Sequence, residues 1–104
     1  MAEENGDITK IVRHFLNEVG KRYNIVRAYL YGSYAKGTFH EWSDIDIAII
    51  SPDFMDDLFE ERLKLMEIAL SIDDRIEPKP FKKELFNRDD PLVHEIQKSG
   101  IQLI

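Results

Sequence analysis

The residues with the most chemistry to offer lie in one stretch, Gly32-Ser33-Tyr34-Ala35-Lys36-Gly37-Thr38-Phe39-His40-Glu41-Trp42-Ser43-Asp44-Ile45-Asp46. From Asp44 the chain alternates strictly, Asp44, Asp46 and Ala48 against Ile45, Ile47 and Ile49, so an extended strand sets both carboxylates on one side. Two like charges held together need a counter-ion. A hard divalent cation such as Mg²⁺ suits them, because it binds carboxylate oxygens together with phosphate oxygens. At the other end of the stretch, Gly32-Ser33 closes a Val-, Ile-, Tyr- and Leu-rich segment. Glycine there lets a phosphate approach the backbone, where amides and the Ser33 hydroxyl can donate to it. Held between amides at one end and metal ions at the other, a triphosphate would be set for in-line displacement at phosphorus. The plainer readings are a solvated acidic strand face for Asp44 and Asp46 and a helix N-cap for Ser33.

These residues need elements to hold them. Ile8, Ile11, Val12, Phe15, Leu16 and Val19 recur at helical spacing and predict an amphipathic helix from Asp7, as N-cap, to Gly20. Ile25 to Tyr31 reads as a buried strand, Ser33 to Gly37 as a short helical turn, and Asp44 to Ile50 as a second strand. Met55, Leu58, Phe59, Leu65, Met66, Ala69 and Ile72 outline a long helix over 53–72, with Leu63 and Leu70 widening its apolar surface. Arg75 to Phe81 carries Pro78 and Pro80 and fits an edge strand. Asp90-Pro91 opens a last helix that Gly100 closes, and Ile101 to Ile104 predicts a final strand. The fold class is therefore α/β of the α+β kind, a small mixed sheet flanked by helices, in one domain over residues 1–104.

Composition narrows the function. The 14 Lys and Arg against 20 Asp and Glu give a formal charge of -6, which repels a phosphate backbone and argues against direct nucleic-acid binding. Cysteine is absent, which removes disulfides, thiolate metal sites and thiol nucleophiles. Met1 to Asp7 is acidic and polar, unlike a secretory leader, and the longest apolar run, Ile45 to Ile50, is broken by Asp46 and falls far short of the roughly 20 residues that span a bilayer. A cytoplasmic, membrane-free protein is expected. His14, His40 and His94 show no metal-ligand spacing, and Phe39 and Trp42 either stack on a base or pack the loop. The wide apolar face of the second long helix is either core or an oligomer contact.

Gly-Ser, ten residues, then Asp-x-Asp resembles the signature of the polymerase-beta-like nucleotidyltransferases, and the short chain with its Ser-Asp-Ile-Asp spelling is most similar to the minimal nucleotidyltransferases (MNT). The resemblance implies a nucleotidyltransferase core fold, with Gly32, Ser33 and Lys36 binding the triphosphate of ATP and Asp44 and Asp46 binding two Mg²⁺ ions. It also implies a third carboxylate from the next strand. Glu77 is preferred for that role, as catalytic and metal-binding residue, because Ile76 faces the core and Glu77 the other way; Asp73 and Asp74, at the turn before it, are the rivals. Where many relatives carry arginines after Gly-Ser, this chain has Tyr34 and Lys36, and Lys36 offers phosphate a point charge without a bidentate fork. The resemblance further implies transfer of AMP to a hydroxyl of a partner protein, a tyrosine of a helical HEPN toxin, which makes the chain an antitoxin. The alternative is a non-catalytic nucleotide-binding module that inhibits its partner by occlusion. A small-molecule nucleotidyltransferase is disfavoured, since no second domain is present to hold the acceptor.

Overall fold

The computed structural model describes residues 2–87 and 89–104, with side chains from Ile8 onward. Helix α1 (Ala2–Gly20) leads into β1 (Arg27–Tyr31), the one-turn α2 (Ser33–Lys36), β2 (Ile45–Ser51), α3 (Leu58–Leu70), β3 (Ile76–Lys82), a 3₁₀ turn (Lys83–Leu85), α4 (Pro91–Ser99) and β4 (Ile101–Gln102). The four strands form one mixed sheet in the order β3-β2-β1-β4. β1 runs antiparallel to β2 and β4, while β2 and β3 are parallel and need the crossover that α3 supplies. β3 is an edge strand, which accommodates Pro78 and Pro80 as expected.

Alternation divides the sheet into two faces. Ala28, Leu30, Ile45, Ile47, Ile49 and Ile76 point to one side and pack with Val12, Phe15, Leu16 and Val19 of α1 and Leu65 and Ala69 of α3. Tyr29, Ala48, Ile50 and Phe81 point to the other and pack with Phe86 and with Val93 and Ile96 of α4. On this second face Phe86 stacks on Tyr29 at 5.7 Å and meets Phe81 edge-on at 5.1 Å.

Several boundaries differ from expectation. The backbone is helical from Ala2, and the Asp7 side chain, expected to cap, lies outside the described residues, as does Met1. Alanine and glutamate early in that segment favour extending the helix toward the N-terminus. The long helix starts at Leu58, not Asp53, because Asp57 caps it by accepting from the Glu60 amide at 3.1 Å. Buried Glu61 then ties the preceding loop down, accepting from the Met55 amide at 2.7 Å and from the Tyr23 hydroxyl at 2.6 Å. That hydrogen bond adds to burial in pushing Tyr23 up to about 12. Met55 and Phe59 do not belong to the buried stripe. Phe59 (69% exposed), Leu63 and Leu70 form a second, outward apolar line on α3. β4 is shorter than the strand expected over Ile101 to Ile104, whereas Asp90 caps α4 as predicted, accepting from the Leu92 amide at 2.8 Å. Among the described residues no helix is long and apolar enough to cross a membrane.

Candidate active site

Strand register assembles the site. Tyr31 of β1 lies opposite Asp46 of β2, and Asp46 lies beside Glu77 of β3, so the three occupy one transverse row. Their parity places them with Tyr29, Ala48, Ile50 and Phe81, on the face that α4 packs against further along the strands. Asp44 stands one residue before β2, exposed at the end of the sheet. Its position is set by the Ile45 amide, which donates to the Arg75 carbonyl at 2.7 Å and pins the start of β2 to that of β3.

The turn from β1 into α2 closes over this row. Gly32 adopts φ +75°, a conformation that L side chains rarely take, and a Cβ built on it would overlap the Asp46 Oδ2 and lie 3.2 Å from its Cγ. Glycine is therefore required twice here, for backbone conformation and for proximity to the carboxylate. Gly32 is also the capping position of α2, which makes Ser33 its first helical residue and sets aside the plainer reading of Ser33 as a cap. Ser33 is half-buried beside the carboxylate row, and its carbonyl accepts from the Thr38 amide at 3.0 Å.

Electrostatics mark the row as short of positive charge. Asp46 is pushed up to about 6, chiefly by burial and further by the charges of Asp44 and Glu77. Tyr31 is pushed up to about 12, again chiefly by burial and then by Asp46. Three carboxylates, one of them holding its proton this tightly, are the donor set that a hard divalent cation would relieve. The chemistry of Asp44, Asp46 and Glu77 thus fits Mg²⁺, although among the described residues no three such groups converge closely enough to enclose a metal. Glu77 Oε1 accepts from Arg62 Nη2 of α3 at 3.2 Å.

Other expected residues fall in varied places. The Lys36 ammonium forms an ion pair with Glu95 of α4 at 2.7 Å, so the carboxylate of a neighbouring helix already engages it. Tyr34 turns inward, stacked on Phe39 with ring centroids 4.5 Å apart, and its hydroxyl accepts from Arg75 Nη1 at 3.4 Å. Asp73 receives the Arg75 backbone amide, Nε and Nη2 at 2.9 to 3.1 Å, and this guanidinium holds its carboxyl below the usual carboxylate value. Asp73 is thereby engaged away from the row, and Asp74 is exposed in the turn. Phe39 packs against the core, whereas Trp42 is 77% exposed. His14, His40 and His94 are all exposed. Tyr31 and Arg62 escaped the sequence reading. Tyr31 was within reach of it, since pairing the first strand antiparallel to the second brings the residue before Gly32 to Asp46. No pattern in the chain links Arg62 to a carboxylate fifteen positions away.

A strand, a glycine turn and paired aspartates in this arrangement match a known family, whose model, the nucleotidyltransferase domain, covers residues 12–100. The chain belongs to that family. This nucleotidyltransferase is 26% identical over 103 residues to "Putative protein adenylyltransferase MJ0141" of Methanocaldococcus jannaschii, spanning 93% of this chain and 99% of that protein. The crystal structure of a toxin-antitoxin with AMP-PNP is similar at 27% identity and a TM-score of 0.59, over 91% of this chain and 71% of that one. A mutant form of the toxin-antitoxin MntA-HpeT is similar at 27% identity and a TM-score of 0.59, over 96% and 71% of the two chains. The structure described as "a putative nucleotidyltransferase from Sulfolobus solfataricus" shares the fold, with a TM-score of 0.64, 19% identity and coverage of 89% of this chain and 76% of that one.

Proposed function

We propose that this nucleotidyltransferase is a Mg²⁺-dependent protein adenylyltransferase that moves AMP from ATP to a hydroxyl of a partner protein, a tyrosine of a HEPN-type toxin, and so acts as an antitoxin in the cytoplasm. The unit of activity is one domain over residues 1–104. The observation that carries the reading is the convergence of Asp46, Glu77 and the Gly32 turn, with Asp44 at the strand entrance. The similarity to a protein adenylyltransferase and to toxin-antitoxin structures supports the choice of acceptor and partner.

In this reading Gly32 and Ser33 hold the triphosphate, and Asp44 and Asp46, joined by Glu77, hold Mg²⁺, which supplies charge neutralisation at the reacting phosphate. The acceptor oxygen bonds to the α-phosphorus and the bond from that phosphorus to the bridging oxygen breaks. Pyrophosphate leaves with the electron pair. The acceptor's proton passes to a carboxylate of the row, acting as general base.

The second reading is occlusion, in which the domain silences its partner by binding alone. The observation that favours it is that Lys36 is paired with Glu95 and Tyr34 is buried, which leaves the triphosphate fewer cationic partners. Replacing ATP with an analogue whose α,β-bridge is methylene separates the two. Under the transfer reading the partner toxin stays active with the analogue and is silenced with ATP and Mg²⁺; silencing with both nucleotides would establish occlusion instead.

A further inference from the structure

We infer that Arg62 competes with the metal for Glu77, so that the third carboxylate enters the metal site only when this ion pair opens. The inference rests on the proposed reading of Asp44, Asp46 and Glu77 as metal ligands and adds a positioning residue to it. Arg62 reaches Glu77 from α3, with Nη2 3.2 Å from Oε1, and its charge is also felt at Tyr31 in the same row. Among the described residues, Arg75 is paired with Asp73 and Lys36 with Glu95, while Lys79, on the same face of β3 as Glu77, lies over the Phe81 ring at 5.8 Å.

A guanidinium and a divalent cation cannot share one lone-pair direction of the same oxygen, and each lowers the other's gain by charge repulsion. With Glu77 held by Arg62, the site offers a cation two aspartates. With Glu77 released, it offers three carboxylates, and the arriving triphosphate gives the freed guanidinium an anion of its own to pair with. Arg62 is about half exposed and Glu77 a third, so the pair is weak enough to open when a ligand competes for either partner.

The test is Mn²⁺ titration of the nucleotide-free full chain, followed by electron paramagnetic resonance of free Mn²⁺. Arg62→Gln should tighten Mn²⁺ binding roughly two- to fivefold, the range expected from removing an exposed ion pair. In the Glu77→Gln background the same change should have no effect, because the competition has lost its object. Lys64→Gln, which removes a charge two residues along the same helix, should leave the affinity unchanged. Equal tightening by Arg62→Gln and Lys64→Gln, or a gain that survives Glu77→Gln, would overturn the inference and leave only a general charge effect. Asp46→Asn tests the underlying reading separately. If it fails to weaken Mn²⁺ binding, the metal assignment falls and this inference with it; if it weakens binding while Arg62→Gln changes nothing, the inference alone falls.

Discussion

Removing the charge of Asp46 should stabilise the metal-free protein while disabling its site. In the folded chain Asp46 is held at about 6 by burial and by Asp44 and Glu77, against an ordinary value of 3.8. A folded-state pKa raised in this way favours folding fully below about pH 4, and the benefit is lost as pH rises through about 6. At 1.36 kcal/mol per pH unit the separation corresponds to roughly 3 kcal/mol, which solvent screening of this half-exposed side chain reduces to about 1 kcal/mol. Asparagine keeps the shape and carries no charge. Asp46→Asn should therefore unfold at a urea midpoint roughly 0.5–1 M higher than the parent at pH 7.5 with metal chelated, and at the same midpoint near pH 4. Millimolar Mg²⁺ at pH 7.5 should then close the gap by stabilising only the aspartate form. An Asp46→Asn protein no more stable than its parent at pH 7.5, or one equally favoured at pH 4, would refute the charge-crowding account of this row.

Two further outcomes follow from the packing. Gly32→Ala should destabilise the fold by about 1–3 kcal/mol in thermal or urea unfolding, and should weaken metal binding too, because the added methyl must displace the Asp46 carboxylate. Leu65→Ala, at a fully buried position of α3, should cost about 2–5 kcal/mol, whereas Leu63→Ala on the outward line should change stability by no more than about 0.5 kcal/mol.

Alternation and spacing made the centre of the protein legible. The Asp44 to Ile50 pattern predicts both the strand and the face that carries its acids, and the strand's register with β3 sets Glu77 beside Asp46. Proline placement likewise predicts the sheet edge at β3. What stayed hidden depends on contacts between distant segments. The start of α3 could not be read from apolar periodicity, because Met55 continues the pattern while its backbone is still held in a loop by Glu61. The pairing of Lys36 with Glu95 and of Arg62 with Glu77 joins residues on separate elements, and only the packing of α3 and α4 around the sheet brings them together. Composition is silent on such pairs, since they are few among 34 charged side chains.

Under the proposed function the carboxylates at this strand end serve the transfer of a nucleotide to a partner protein. Intact-mass spectrometry of the cognate partner toxin, incubated with ATP, Mg²⁺ and either the parent or the Asp44→Asn, Asp46→Asn double variant, tests it most directly. The account predicts a gain of about 329 Da per transferred AMP with the parent, accompanied by pyrophosphate release, and no gain with the double variant. An unmodified partner that both proteins inhibit equally, or a mass gain that persists in the double variant, would contradict it.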